Sequence, residues 1–268
     1  MKRSTLSIRL WGVLLAGVTA VLYITLCTSC KSKHATEHSP IIWDMVNIHT
    51  SNTNAQEVSN GAGKPLFVGD FSLLFPRENE ALAHEICRVV LGKEDTALPP
   101  ENALNSYVAR IEQAFLADST NIEKPARQTV TMTSSILYED TSVTTLRVDI
   151  TSRLNDEEAF HSLRYYCFSL PGGEALGERN LFFDGYEETL HSLLVEIAKN
   201  SYPDIYFITE ELAPNGNFAI MREGLLYSFP TNEVAPQLNA QTDTFELLIP
   251  WEMLESSLLA NSPVNHLI

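Results

Sequence analysis

Apolar residues recur with helical spacing in two neighbouring segments of the first half of the chain. The segment 78–91 is followed by Gly92, a residue type that commonly stands after the last turn of a helix. The segment 101–117 follows two prolines, which are favoured where a helix begins. Each segment therefore predicts a helix with one apolar face. The apolar positions are Leu82, Ile86, Val89 and Val90 in the first helix, and Leu104, Tyr107, Val108, Ile111 and Phe115 in the second.

The middle and the end of the chain carry the alternating or short apolar runs that are typical of β-strands. Residues 130–138 and 144–150 alternate and are separated by a short polar turn, which predicts an antiparallel hairpin. A second hairpin is predicted over 217–229, with Gly224 at positive φ in the turn. Single strands are predicted at 68–75, 163–170, 205–209 and 245–249.

Two further helices complete the predicted elements. Asp184 is expected to cap a helix that runs to about residue 200, with Glu187 as its partner in a capping box. A last helix is predicted over 251–259. Because strands mostly follow strands, the order predicts an α+β fold in which helices pack against an antiparallel sheet. We expect two consecutive subdomains, an N-terminal one over 66–155 and a C-terminal one over 156–268.

The start of the chain resembles a bacterial secretory signal. A short basic segment precedes an apolar run at 10–26, and the small residues Thr28 and Ser29 stand directly before Cys30. This arrangement is similar to a lipobox, with Cys27 at the position where leucine is usual. It predicts cleavage before Cys30 and lipidation of that cysteine.

The predicted signal peptide, 1–29, implies a mature chain that is anchored to a membrane by acyl chains such as palmitate on Cys30. A transmembrane anchor formed by the same apolar run is the alternative, because the run is close to the length that spans a bilayer. The segment 30–65 has little apolar periodicity and is expected to be a flexible tether. Lys31, and not an acidic residue, directly follows Cys30, and the acidic cluster that directs some lipoproteins to the cell surface is also missing. For a Gram-negative host, the resemblance therefore implies an outer-membrane lipoprotein of the cell envelope that faces the periplasm.

Acidic residues outnumber basic ones. The chain has 34 acidic and 18 basic residues, and loss of the signal would leave 15 basic residues against 34 acidic ones, a net charge of −19. That charge argues against nucleic acid as a partner, because its phosphates need Lys and Arg. It favours a basic partner, with a purely solubilising role as the alternative. Cys87 and Cys167 are expected to be buried thiols, with one disulfide as the alternative.

The last hundred residues contain motifs in a familiar order. They are Asn217-Phe218-Ala219-Ile220, Glu223-Gly224-Leu225, Tyr227, Glu233-Val234-Ala235-Pro236 and Ile249-Pro250-Trp251, preceded by Phe168-Ser169-Leu170 and Leu181-Phe182. This pattern resembles the RsiV-like C-terminal domain, which also occurs beside the catalytic domain of the peptidoglycan deacetylase PdaC. The resemblance covers about residues 160–260, and 66–155 looks like the N-terminal partner domain of Bacteroidetes-type lipoproteins.

The chain departs from the family pattern in three respects. Asn232 and Gln237 stand where the family usually has tyrosines around its Glu-Ile-Ala-Pro turn. Glu158-Ala159-Phe160-His161 occupies the area of a Gly-Gly-Ala-His element that many relatives carry. The residues of the motifs named above are expected to stabilise the fold and not to form a binding site. We expect Pro236 and Pro250 to end strands, and Tyr227 and Phe229 to fill a sheet face.

No residue pattern requires an enzyme. His84-Glu85 is half of a zinc-protease motif, but Arg88 stands where the second histidine would be. The remaining candidates are histidine pairs without further ligands or a nucleophile, namely His34 with His38 in the predicted tether, and His161 with His191. We therefore predict a non-enzymatic protein with no cofactor and no metal.

These observations lead to one functional hypothesis and two alternatives. The first is a cell-envelope lipoprotein whose α+β domain binds a protein or glycan. RsiV-like sensor domains bind lysozyme, so the resemblance implies a basic muramidase as a partner, or peptidoglycan. The alternatives are an accessory module of peptidoglycan modification and a structural subunit of an envelope complex.

Overall fold

A six-stranded sheet forms the larger part of the molecule. The computed structural model describes residues 41–51, 66–92, 98–119, 126–238 and 244–268, so the predicted signal peptide, Cys30, His34 and His38 lie outside the described residues. The strands of this sheet are β1 (Trp43–Ser51), β2 (Leu66–Pro76), β3 (Arg127–Glu139), β4 (Val143–Leu154), β5 (Phe160–Ser169) and β6 (Ala175–Leu176), and they lie side by side in chain order.

Neighbouring strands of this sheet are antiparallel except β2 and β3, which run parallel. The parallel pair is joined by α1 (Glu80–Ile86), a π turn (Cys87–Leu91) and α2 (Pro100–Ser119). Such a crossover is required because a tight turn cannot join parallel neighbours. The side chain of Asn79 caps α1 by accepting the amide of Leu82 at 3.0 Å.

A smaller antiparallel sheet follows, with β8 (Gly224–Pro230) between β7 (Phe218–Ile220) and β9 (Thr244–Pro250). The helix α3 (Tyr186–Ser201) precedes it, and the short helices α4 (Thr231–Val234) and α5 (Trp251–Leu254) follow β8 and β9. The predicted α+β fold, both hairpins and the long helices are thereby confirmed. No described helix has the length and apolar character needed to cross a membrane.

Two large buried clusters form most of the core of the described residues, and a small third one of Leu163, Tyr165 and Ala219 lies between β5 and β7. The first packs α1 and α2 against the large sheet, and it includes Phe67, Phe71, Leu82, Ile86, Leu104, Val130 and Phe168. The second packs α3 against the small sheet, and it includes Leu190, Leu194, Phe218, Tyr227, Phe229 and Trp251. Both cysteines are buried and neither forms a disulfide, Cys87 in the first cluster and Cys167 in the second, as predicted.

Strand β1 corrects the predicted tether over 30–65. Its nine residues pair antiparallel with β2 from Trp43↔Pro76 to Ser51↔Val68. The segment has little periodicity because its side chains are mostly exposed or half-buried, and backbone pairing holds it instead. At the predicted boundary between 155 and 156, β4 and β5 pair with each other, so the two predicted subdomains share one sheet.

Three local predictions were wrong. The helix α3 begins after Gly185, which is left-handed at φ 87° and makes no side-chain cap, so Asp184 is not the cap. Residues 205–209 form no strand, and a 3₁₀ turn at Thr209–Glu211 occupies their end. Pro236 begins a 3₁₀ turn after α4 and ends no strand.

Gly224 is needed for a reason other than the one predicted. Its φ is not positive. Instead, a Cβ at this position would lie 2.1 Å from the Ile249 carbonyl oxygen of the paired strand β9. The close approach of two backbones excludes a side chain here.

We expect Gly224→Ala to lower the free energy of unfolding by about 2–3 kcal/mol, because β8 and β9 must move apart to admit the methyl group. Chemical denaturation monitored by circular dichroism measures this change. Gly177→Ala is the matched control, since its Cβ would meet only Asn180 Oδ1 at 3.9 Å. Equal stability of the two variants would contradict the backbone clash.

Candidate functional site

The outer edge of β5 is covered only in part. Strand β6 pairs with Cys167 and Phe168 at one end. Further along, Asn217 takes the place of a neighbouring strand: its Oδ1 accepts the Tyr165 amide at 2.9 Å, and its Nδ2 donates to the Leu163 carbonyl at 3.0 Å. Asn217 is 7% exposed. One side-chain amide therefore satisfies two main-chain groups that would otherwise be buried without partners.

The same region joins the two sheets. Thr145 on β4 donates from Oγ1 to the Ile220 carbonyl of β7 at 2.8 Å. Cys167 Sγ lies 3.4 Å from both the Phe218 carbonyl oxygen and the Ile220 nitrogen. Burial raises the pKa of the Cys167 thiol to about 11, so it stays protonated and acts as a weak hydrogen-bonding group. The short strand β7 is thus fixed across β4 and β5 by side chains.

Beyond Asn217, toward the start of β5, a cleft of about 410 Å³ opens between β5 and the small sheet. This volume lies within the range of small-ligand pockets. Its walls come from the start of β5, the turn before β7, the end of β8 with the start of α4, and the start of β9. The lining residues are Phe160, His161, Ser162, Leu163, Arg164, Asn215, Asn217, Ser228, Phe229, Pro230, Asn232, Glu233 and Thr244.

Ser228 gives the cleft an unpaired polar group. Its residue is fully buried, and its Oγ has no hydrogen-bond partner among the described residues. Alternate residues of a strand share a face, so Ser228 lies on the same face of β8 as Leu226, which packs against Leu163 and Tyr165 of β5. The unpaired hydroxyl therefore belongs to the side of β8 that faces β5. Buried polar atoms without partners are rare and need an explanation.

A smaller cavity of about 210 Å³ adjoins the cleft and shares Ser162, Leu163, Thr244 and His161 with it. Arg147 and Asp149 line it and form an ion pair at 2.8 Å. Near them the buried Tyr165 hydroxyl donates to Glu246 of β9. Burial, together with the Glu246 carboxylate, raises the pKa of this tyrosine well above its usual range, so it remains a neutral donor.

The structure brings some of the singled-out residues into the cleft and leaves others apart. Phe160 and His161, from the segment that replaces the Gly-Gly-Ala-His element, form one wall, and Asn232 stands on the opposite wall. Two of the three departures from the family pattern therefore line one cleft, whereas Gln237 does not. His161 bonds Thr151 on β4 at 3.0 Å, whereas His191 lies on α3 and does not line the cleft.

The half zinc motif has a structural role. Glu85 pairs with Arg88 on α1 and its π turn, and Glu85 also accepts the Ala175 amide at 3.2 Å, which ties the helix to β6. The hydrogen bond from Arg88 lowers the pKa of the Glu85 carboxyl. Across the described ranges, no group of three or more His, Cys, Asp or Glu side chains is placed to hold a metal ion.

Sequence reasoning missed two residues of the cleft. Asn217 was noticed only as part of an Asn-Phe motif, and Ser228 was passed over between the core residues Tyr227 and Phe229. The one available signal was that Ser228 is a hydroxyl residue within an otherwise apolar strand. Nothing in the local pattern indicates that Asn217 bonds to a strand 52 residues earlier.

Two solved structures resemble the whole described chain. A DUF3298 family member from Bacteroides fragilis matches with a TM-score of 0.64 at 14% identity, covering 85% of this chain and 97% of that one. A DUF3298 family protein from Pseudomonas aeruginosa PAO1 matches with a TM-score of 0.57 at 14% identity, covering 83% and 96%. The chain has the fold of these DUF3298 structures. No family model and no curated protein matches the sequence.

The DUF3298 fold fits the expected RsiV-like domain at the level of architecture. At 14% identity the likeness shows the fold alone. The closer link to RsiV and PdaC stays a prediction.

We expect Asn217→Ala to destabilise the protein by about 2–3 kcal/mol, because it leaves the Leu163 carbonyl and the Tyr165 amide without partners. Asn232→Ala is the control, since Asn232 lines the same cleft but is exposed, and surface changes usually stay within about 0.5 kcal/mol. Thermal denaturation of both variants measures the difference. A loss of stability in Asn232→Ala that equals the loss in Asn217→Ala would argue against the amide clamp.

Proposed function

We propose that this protein is a lipid-anchored lipoprotein of the bacterial cell envelope that binds a ligand without catalysing a reaction. The observation that carries the proposal is the cleft between β5 and the small sheet, with its unpaired Ser228 hydroxyl. Its polar lining combines side-chain amides and hydroxyls with His161, Arg164 and Glu233, so it can recognise a ligand by hydrogen bonds and by charge. The anchor rests on the lipobox-like sequence that ends at Cys30.

The partner is a basic protein of the cell wall, and lysozyme is the candidate that the RsiV-like resemblance supplies. The whole chain carries a net charge of −16, which favours encounter with a basic protein. Exposed carboxylates border the cleft at Glu233 and in the turn 156–158 before β5. Peptidoglycan is the second ligand to be tested, because it is the substrate of the enzyme that carries a similar domain.

We expect the full-length chain, kept soluble in mild detergent, to retain lysozyme in a pull-down at low salt and to lose most of it at high salt. Screening of exposed charges is the reason, since the Debye length falls from about 10 Å at 0.1 M to about 3 Å at 1 M salt. Glu158→Lys, next to the cleft, should weaken capture more than Glu101→Lys on α2. If neither salt nor either variant changes the amount of lysozyme captured, the proposed electrostatic attraction is refuted. If the chain retains peptidoglycan but not lysozyme, peptidoglycan is the ligand and lysozyme is not.

We expect Cys30→Ala to abolish incorporation of radiolabelled palmitate and to leave the chain unprocessed, because the acyl chains are attached to the Cys30 thiol. Cys27→Ala is the control and should still be labelled and processed. Labelling of cells that express each variant, followed by immunoprecipitation, measures this. Labelling that survives in Cys30→Ala would show that the anchor is attached elsewhere or that the apolar run itself holds the chain.

A further inference from the structure

The start of β5 leaves main-chain groups open on the side of the cleft. In an antiparallel pair, residues alternate between those whose N–H and C=O groups face the partner strand and those whose groups face away. The bonds from Asn217 to Leu163 and Tyr165 show that these residues face away from β4. His161 is in the same phase as Leu163 and Tyr165, so its N–H and C=O also point outward, as does the N–H of Leu163.

These three groups have no partner strand in the described structure. Strand β6 pairs only with Cys167 and Phe168, and Asn217 occupies the next positions. Among described residues, no backbone group is bonded to the His161 N–H or C=O or to the Leu163 N–H outside the β4 pairing. The cleft lies along this part of the edge and exposes it. An open strand edge of this kind is a template for another strand.

We propose that the cleft binds an extended, basic peptide segment of the partner, which adds as a strand to the open edge of β5. This inference rests on the proposed binding function and names how the ligand is held. The segment accepts hydrogen bonds from the His161 and Leu163 amides and donates one to the His161 carbonyl. Strand addition takes its affinity from such main-chain bonds and its specificity from neighbouring pockets.

The walls of the cleft suit such a segment. Ser228 offers a buried hydroxyl without a partner on the side that faces β5, so an arriving main-chain or side-chain group would satisfy it. Phe160 is 61% exposed at the mouth of the cleft and offers an apolar contact for the first residue of the segment. Asn217 marks the far end, because its amide already occupies the edge there.

The charge around the cleft favours a basic peptide segment. The turn before β5 contains Asp156, Glu157 and Glu158, all exposed, and Glu233 lines the opposite wall. Among the described residues nearby, Arg164 lines the cleft, and Arg153 and Arg127 lie beside the turn that precedes β5. Arg147 lines the adjoining cavity and is ion-paired with Asp149. The carboxylates outnumber the guanidinium groups, so lysine or arginine side chains projecting from an added strand meet a net negative surface.

The test uses a fluorescein-labelled decapeptide of alternating valine and lysine with blocked ends, and fluorescence anisotropy with the full-length chain in mild detergent. The decisive pair of variants is His161→Pro and His161→Ala. Proline removes the outward N–H and blocks the edge but breaks no bond to β4, and it is tolerated on open strand edges. Alanine removes the imidazole and keeps the N–H. We expect at least tenfold weaker binding in His161→Pro and binding within about twofold of the original protein in His161→Ala.

Ser228→Ala gives an independent measurement. It removes a buried hydroxyl that has no partner, so the melting temperature should stay the same or rise, while peptide binding should weaken about threefold. Circular dichroism of every variant checks that the fold is kept. A glutamate–valine decapeptide should not bind. Absence of saturable binding by the lysine peptide, or an equal loss in His161→Ala and His161→Pro, would overturn the inference.

Two further outcomes separate this inference from the proposed function. If the peptide binds as expected but neither lysozyme nor peptidoglycan is retained, the partner is wrong and strand addition stands. If lysozyme is retained equally by His161→Pro and the original protein, strand addition is wrong and the partner stands. Dimerisation of the free chain that His161→Pro abolishes, measured by sedimentation, would identify a second copy as the occupant and overturn the assignment to a basic peptide.

Discussion

The attachment of the small sheet to β5 is the constraint on which the rest of the structure depends. Strand β7 has three residues and lies across the large sheet, so it cannot be held there by a ladder of backbone bonds. Side chains do this instead: Thr145 and Cys167 meet its main chain, and Asn217 closes the exposed part of the β5 edge. Without these bonds, buried amides and carbonyls on both sides would lack partners.

This attachment also creates the cleft. Asn217 covers the β5 edge at Leu163 and Tyr165 and goes no further, so no strand in the described part of the chain covers the edge at His161. Open edges in soluble proteins are usually short, charged or covered. Here the edge is short and is bordered by carboxylates at 156–158, which discourages pairing between copies of this acidic chain and leaves the edge available to a basic strand.

Two DUF3298 proteins share the architecture at 14% identity, so the arrangement of a large sheet, a small sheet and α3 tolerates wide changes in sequence. In this chain Phe160, His161 and Asn232, which depart from the expected RsiV-like pattern, line one cleft, whereas Gln237 does not.

The sequence by itself determined the helices, most strands and the α+β class, because these follow from local periodicity and from capping and turn residues such as Gly92. It did not reveal β1, since an edge strand held by backbone pairing needs no apolar pattern. It also misread Gly224, whose requirement comes from the Ile249 carbonyl on another strand. The cleft, the amide clamp of Asn217 and the open edge at His161 were decided only by the tertiary structure. Each of these features depends on groups that are far apart in the chain and are brought together by the packing of the two sheets. The local sequence around each residue therefore cannot indicate them.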